Sequence, residues 1–516
     1  MAEIRLKLFD TLRAAPHAVA LRNAGEAGIY CCGPTVYDVA HVGHARAALA
    51  PDILVRHLRA DGVRVKYVRN VTDVDDKILK RSSENGEEPL ALSARMAVLY
   101  QDDMRALGCV APDVEPKVSE HIDEIVALIQ KLIAQGAAYA VDAPGSGKDV
   151  YYAVRTFPEY GKLSKRRIEE LVVGARIEAN EIKRDPLDFA LWKSCPESGW
   201  GWPSPWGKGR PGWHIECSAM SEKHLGHGFD VHCGGMDLIF PHHENEIAQS
   251  EGAHPGEGPF ARAWIHNGFV NVDKEKMAKS IGNFVTIRQV YERNDPEALR
   301  YFLLGVHYRG PIAFDTEKLE SGRVVFPGIV EAERRVDYLH ATTERLAALA
   351  QQAGEGAAPA VASALAPFAK LAAEAEGRAR AALDDDLNTP VVLSVLADLA
   401  KAANEVADLA QKRRKDAALV ASAPHVASAL HLAIRSIADR LGLFQASAAE
   451  YAARTRDQRL RVRGLAAEAI EAKIVERAEA RANKEWARGD AVRDELAALG
   501  VELLDTADGT TWRIGA

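Results

Sequence analysis

At 516 residues the chain is too long for one ordinary domain and predicts three or four. With 47% hydrophobic and 27% charged residues it can bury an ample core, which excludes a disordered or fibrous chain. A formal charge of -8 excludes attraction of nucleic acid by the field of the whole molecule, so any RNA must be met by local Lys/Arg patches.

Residues 1–25 carry scattered charges and no apolar run of signal-peptide length, and no later stretch offers the roughly 20 uninterrupted apolar residues of a membrane span. The expectation is a cytoplasmic protein with no membrane partner. Six cysteines are too few for a disulfide framework and read as core residues or metal ligands in a reducing compartment.

Ile29 to Ala48 reads as a buried strand, a glycine-containing turn and the opening of a helix. Within it His41-Val-Gly-His44 sets Gly43 where backbone and nucleotide can approach closely. Its two imidazoles fall at a helix N-terminus, which favours anions. His41, Gly43 and His44 are thus a candidate triphosphate site, although a lone His-x-Gly-His is a weak signal.

From Arg64 to Thr72 the pattern alternates as a half-buried strand after a short Asp-Gly turn. The result is a strand, helix, parallel strand unit of Rossmann-like plan, with ligands beyond the carboxyl ends of the strands and Thr72 and Asp73 facing the cleft. Asp73-Val-Asp-Asp76 lacks the glycine and distal glutamate of a calcium loop and reads as a solvated strand end. Periodicity predicts helices over about Leu90 to Leu107 and Val118 to Gln135, the second stopped by Gly136.

Between about Ala111 and Trp213 the nucleotide-binding pattern is interrupted by helices, short strands and a loop rich in Trp, Gly and Pro, which predicts an inserted domain. Gly145-Ser-Gly-Lys148 lacks the spacing of a phosphate loop and sits between Asp142 and Asp149, as a hairpin loop would. Five of the eight tryptophans, Trp192 to Trp213, close the segment, so it reads as a packed wall with Trp213 facing substrate.

Trp213-His-Ile-Glu-Cys217 and Pro241-His-His-Glu-Asn-Glu246 follow. His242 and Glu246 are four apart, on one face of a helix, and thiolate, imidazole and carboxylate are ordinary zinc ligands. Spacing leaves open which of Cys31, Cys32, Cys217, Cys233, His232, His242 and His243 take part, because only the fold joins ligands from separate segments. Further on, Lys276-Met-Ala-Lys279-Ser280 puts two cations in a loop.

After Phe314 Ala, Leu, Glu and Arg dominate and strands are no longer evident. Thr389-Pro390 starts a helix whose stripe of Val392, Val395, Leu399, Ala403 and Val406 predicts a bundle. An Arg-rich passage, Arg454 to Arg463, leads to a last unit that ends in a hairpin around Asp508-Gly509. There Arg481, Trp486, Arg488, Asp490, Asp505 and Trp512 offer stacking and hydrogen-bonding groups suited to unstacked bases of an RNA loop.

Lys276 to Ser280 resembles the Lys-Met-Ser-Lys-Ser loop that partners His-x-Gly-His in class I aminoacyl-tRNA synthetases. Cys32-Gly-Pro-Thr-Val-Tyr-Asp, His41 to His44, Asn70-Val-Thr-Asp-Val-Asp-Asp, Gly212-Trp-His-Ile-Glu-Cys, Pro241 to Glu246 and Lys276 to Ser280, in that order, resemble the cysteinyl-tRNA synthetases along the whole chain. The resemblance implies an α/β protein whose Rossmann-like nucleotide-binding catalytic core, residues 1–110 and 214–314, carries an inserted connective domain at 111–213. A stem-contact region and α-helical bundle at 315–453 and a small α+β anticodon-binding domain at 454–516 would follow.

It also implies one Zn2+ on Cys32, Cys217, His242 and Glu246 that selects the substrate thiolate from serine's hydroxyl. Gly33, Thr72 and Trp213 would line the cysteine pocket, His232 would lie near it, and Asp237 would meet adenosine or ribose. His41, His44, Lys276 and Lys279 would stabilise the phosphates, with Mg2+ accompanying ATP. Arg481, Trp486, Asp490 and Asp505 would read the anticodon of tRNA(Cys), and the enzyme would act as a monomer on L-cysteine, ATP and that tRNA. Two departures from the pattern stand out: Ala278 for the loop's first serine, expected to alter loop closure, and Cys233 for a glycine, expected to be a packing residue. Two rivals are a ligase that passes cysteine to an amino sugar, which would lack residues 454–516, and a silent RNA-binding paralogue, which would not need intact His41, His44, Lys276, Lys279 and metal candidates.

Overall fold

A computed structural model describes residues 5–143, 147–167, 182–272, 275–276, 284–320, 322–353, 359–506 and 509–516. Strands β1 (Lys7–Asp10) and β2 (Ala15–Ala18) form an antiparallel pair before β3 (Glu26–Cys31), whose Ile29 and Tyr30 are fully buried. Helix α1 (Val42–Ala60) crosses to β4 (Arg64–Arg69), which runs parallel to β3 with Ile29 opposite Tyr67. Gly62, at φ 82°, supplies the left-handed residue the return turn needs.

Helices α2 (Asp76–Asn85) and α3 (Pro89–Ala106) follow. The helix expected over Val118 to Gln135 is divided: a 3-10 turn at Val118–Glu120 precedes α4 (Ile122–Ala134). His121 breaks it, its Nδ1 bonding the Lys117 carbonyl at 2.7 Å. Strands β5 (Ala138–Asp142), β6 (Lys148–Tyr152), β7 (Phe189–Ser194) and β8 (Gly209–Pro211) form an antiparallel meander. The pairing of β5 with β6 makes a hairpin across residues 143–147, of which 144–146 lie outside the described residues.

Helix α5 (Trp213–Leu225), β9 (Phe229–Gly235), α6 (Glu244–Ala253) and β10 (Ala261–Asn267) complete a parallel sheet in the order β10-β9-β3-β4. This is the expected Rossmann-like architecture. All four strands end at one edge, at Cys31, Arg69, Gly235 and Asn267, so the residues just past them share the crevice where such sheets bind ligands.

Beyond it come β11 (Val270–Val272), β12 (Glu275–Lys276), α7 (Ile287–Tyr291), α8 (Pro296–Leu304) and β13 (Ile312–Phe314). Contrary to the sequence expectation, strands continue past Phe314 as β14 (Glu317–Lys318) and β15 (Val324–Val325), whose two residues each are too few to show alternation.

Helices α9 (Pro327–Ala350), α10 (Ala366–Asp384), α11 (Thr389–Lys412) and α12 (Ala417–Leu441) form the bundle. The stripe from Val392 to Val406 is buried as expected, while the cap of α11 is Asn388, one residue before Thr389. By length and composition α12 could cross a membrane, but Leu419, Leu430, Ile434 and Ile437 are fully buried in the bundle. The chain ends in α13 (Ala448–Arg463), α14 (Ala467–Ala482), α15 (Trp486–Ala498) and the hairpin β16 (Val501–Thr506) with β17 (Gly509–Ile514).

Candidate active site

At the carboxyl edge of the sheet lies a cleft of about 410 Å³. Its walls bring together Cys32, Gly33, His41, Gly43, His44, Thr72, Trp213, Cys217, Asp237 and His242, from segments up to 210 residues apart. The turn after β9 carries Asp237, the first turn of α5 carries Trp213 and Cys217, and the π-type turn Ile239–His243 leading into α6 carries His242.

His41 caps α1. Its Nδ1 accepts the Gly43 N–H at 3.1 Å, and His44 Nδ1 accepts the His41 N–H at 3.2 Å, with the rings stacked 3.8 Å apart. Both Nδ1 atoms being acceptors, each neutral ring carries its proton on Nε2, a donor suited to phosphate oxygen. The helix dipole adds partial positive charge at the same place. Lys276 pairs through its backbone with Asn271, and nothing further is described of it. Lys279 and Ala278 lie outside the described residues.

Cys32, Cys217, His242 and Glu246 offer ligand atoms all within 4.8 Å of one another. Cys32 Sγ is 3.6 Å from Cys217 Sγ and 3.5 Å from Glu246 Oε1, and His242 Nε2 is 2.9 Å from that oxygen. Around a tetrahedral zinc, donors stand roughly 3.3–3.8 Å apart. The two distances from Cys32 fall in that range, while His242 and Glu246, hydrogen-bonded at 2.9 Å, would part by about 0.4 Å to admit the ion, and two sulfurs, one nitrogen and one oxygen are a donor set that fits it. A second group shares Cys32 and Glu246 but adds His232 and His243. Those two histidines are completely buried and absent from the cleft wall, so only the first group faces a place where substrate could reach a metal.

The electrostatics mark the cluster as poised for a cation. Burial pushes the Cys32 thiol well up, while its hydrogen bond to Cys217 brings the Cys217 thiol down to about 6. Burial would lower His242, but the Glu246 charge and the bonds to Cys217 and Glu246 outweigh it and raise the imidazole to about 10. Burial likewise opposes ionisation of Glu246, and His232 and His242 overcome it, holding the carboxyl well below its ordinary range. Protons are thus shared among three buried donors and the half-buried Cys32, and a metal would displace them.

Supporting histidines surround the cluster: His232 and His243 are among the sequence candidates, whereas His214 and His266 escaped the sequence reading. His214 Nδ1 lies 3.0 Å from His242 Nδ1, leaving His242 Nε2 toward Glu246. His243 Nε2 is 3.3 Å from Cys32 Sγ, and its Nδ1 is 2.8 Å from His266 Nε2. Burial holds His214 and His243 well below the usual imidazole range and His266 at about 3, so all three are neutral. His232, expected beside the cysteine pocket, stands behind Glu246 with Nε2 2.7 Å from Oε2. His214 and Cys217, three apart on α5, share a helix face, which was the available signal.

Trp213 stacks on His242 with ring centroids 4.3 Å apart and is 39% exposed, a ring wall over the candidate metal ligands. Cys233 is buried between β3 and β10, opposite Cys31 and Ile265, and belongs to neither donor group among the described residues. The reading of Asp73 to Asp76 as a solvated strand end is corrected. Asp73 is buried and accepts from the Ser119 N–H and hydroxyl, Asp75 caps α2, and Asp76 pairs with Arg210 and Lys193 of the inserted sheet. Asp73 and Asp76 are held by partners that lie beyond local sequence, whereas Asp75 accepts from the Lys77 N–H two residues on.

In the last unit Trp486 is 59% exposed at the start of α15, with Asp490 one turn on and Arg481 at the end of α14. Asp505 accepts two bonds from Arg477, at 2.9 Å each, and one from Arg481 at 3.2 Å.

A family model described as the class I (C) tRNA synthetase catalytic domain matches residues 18–323. Models described as a DALR domain and a cysteinyl-tRNA ligase anticodon binding domain match residues 378–445 and 464–513. In fold the chain is similar to methionyl-tRNA synthetase of Mycobacterium tuberculosis in complex with methionyl-adenylate. The TM-score is 0.62 at 16% identity, covering 81% of this chain and 91% of that one. Sheet, cleft and family model together define a class I aminoacyl-tRNA synthetase.

The cysteine-tRNA ligase of Anaeromyxobacter sp. (strain K) is 50% identical over 516 residues, 99% of each chain. That of Trichlorobacter lovleyi is 44% identical over 512 residues, again 99% of each. The chain belongs to the cysteine-tRNA ligase family.

Proposed function

We propose that this enzyme joins L-cysteine to tRNA(Cys) in two steps within the one cleft: cysteine carboxylate attacks the α-phosphate of ATP, giving cysteinyl-adenylate and pyrophosphate, and the cysteinyl group then passes to the terminal adenosine. The observation that carries the reading is a cleft whose wall combines sulfur and nitrogen donors with the His41 and His44 turn.

Zn2+ on Cys32, Cys217, His242 and Glu246 would bind the substrate's sulfur as thiolate, a soft ligand that serine cannot imitate. The remaining work falls to the chain. Gly33 and Thr72 hold the amino acid, Trp213 closes over it, and Asp237 meets the adenosine. His41 and His44 donate from Nε2 to phosphate oxygens as charge moves toward pyrophosphate, joined by Lys276 and Lys279, and Mg2+ enters with ATP.

Residues 1–110 and 214–314 serve as the catalytic core, 111–213 as a connective insertion, 315–453 as stem contact and bundle, and 454–516 as the anticodon reader through Arg481, Trp486, Asp490 and Asp505. We place the enzyme in the cytoplasm as a monomer. The match of residues 464–513 to an anticodon-binding model supports this over transfer to an amino sugar.

The test is charging of tRNA(Cys), beside the same tRNA with its anticodon changed, by purified enzyme with ATP and labelled cysteine. The reading expects charging that weakens on the anticodon change. Cysteine activation without charging of either tRNA would favour the amino-sugar ligase.

A further inference from the structure

Asn70 follows β4, is fully buried, and joins three parts of the cleft wall. The Gly33 N–H donates to Asn70 Oδ1 at 2.8 Å, and since only that end of the amide accepts, the bond fixes its orientation. Nδ2 therefore faces Thr72 and donates to its Oγ1 at 3.2 Å. Thr72 Oγ1, already accepting, directs its own proton to Glu216 Oε2 at 3.2 Å. A hydroxyl has one proton and two lone pairs, so the capacity left to Thr72 on the cleft side is a single acceptor position.

We propose that Asn70 is a positioning residue for amino-acid recognition: by fixing the Thr72 hydroxyl as an acceptor toward the cleft, it makes Thr72 a partner for the substrate's α-ammonium. An ammonium only donates, whereas the substrate carboxylate only accepts and would find no proton there. The inference rests on the reading of Thr72 as part of the cysteine pocket. Without Asn70 only the bond to Glu216 holds the Thr72 hydroxyl, its second lone pair is no longer occupied, and the ammonium loses a partner of fixed orientation. The same Oδ1 lies 3.7 Å from Cys217 Sγ, so metal content must be followed alongside.

The test uses the full-length, metal-loaded enzyme in ATP–pyrophosphate exchange. The KM for cysteine is compared with the Ki of 3-mercaptopropionate, which keeps thiol and carboxylate but lacks the amino group. Losing one hydrogen bond to a charged group predicts that Asn70→Ala raises the cysteine KM about tenfold while that Ki, kcat and zinc content hold. Thr72→Val should do the same, and the double variant should be no worse than either single one.

A parallel rise of KM and Ki in Asn70→Ala, or additive effects in the double variant, would overturn the inference. Should Asn70→Ala not fold, Thr72→Val alone decides: weakening of 3-mercaptopropionate as much as cysteine would place the hydroxyl on the carboxylate and sink it. If the wild-type enzyme shows no cysteine-dependent exchange, it is the proposed function that fails.

Discussion

Gly33→Ala perturbs the cleft by one methyl group. A Cβ at this position would lie 1.5 Å from the Asn70 carbonyl oxygen and 2.7 Å from its carbon, both backbone atoms that no rotamer change can move. Contacts under 3.0 Å are essentially never seen, so the ends of β3 and β4 must part by about 1.5 Å. That displacement separates Cys32 from Cys217, now 3.6 Å apart, and breaks the bond from the Gly33 N–H to Asn70. A shift of about 1 Å at reacting groups costs on the order of 10²-fold in rate, close to 2.7 kcal/mol. We expect kcat/KM for cysteine in pyrophosphate exchange to fall at least about 10²-fold, with reduced metal retention. Near-wild-type exchange by a metal-replete Gly33→Ala enzyme would refute the claim that this close approach builds the site.

Cys217→Ser removes a soft donor, so the preference for cysteine over serine should drop from above about 10⁴ toward 10² or less as zinc is lost; unchanged preference in zinc-free enzyme would contradict metal-based selection. Trp486→Ala should raise the KM for tRNA about tenfold and leave pyrophosphate exchange untouched, and an effect on exchange would remove α15 from anticodon reading. Asp103, buried despite its pairing with Arg288, has its carboxyl raised from 3.8 to about 6. The stability it contributes is complete below about 3.8 and is lost as pH rises through about 6, whereas asparagine does not titrate. The Tm of Asp103→Asn minus that of wild type should therefore grow from pH 4 to pH 7; a constant difference would contradict the burial effect.

Much of the architecture was legible because it follows from short-range pattern. The strand, turn and helix around His41, the alternation of β4 and the stripe of α11 each depend on neighbours within a few residues. The ligand atoms of Cys32, Cys217, His242 and Glu246 do converge, but spacing showed only the His242 and Glu246 pair, and resemblance supplied the other two. What stayed hidden depends on tertiary contact. His266 reaches the site through His243, Asp76 answers to a strand 134 residues on, and Asn70 acts through Gly33 and Thr72, which its own segment does not announce. His121 shows the same limit in reverse, since its own side chain ends the 3-10 turn that periodicity had joined to α4.

The central claim is that the four donors hold zinc and that the substrate's sulfur joins them. X-ray absorption at the zinc edge tests it directly, by counting sulfur neighbours in the full-length enzyme before and after saturating cysteine or serine. The account predicts two sulfurs, from Cys32 and Cys217, rising to three with cysteine and staying at two with serine. A count unchanged by cysteine would contradict it.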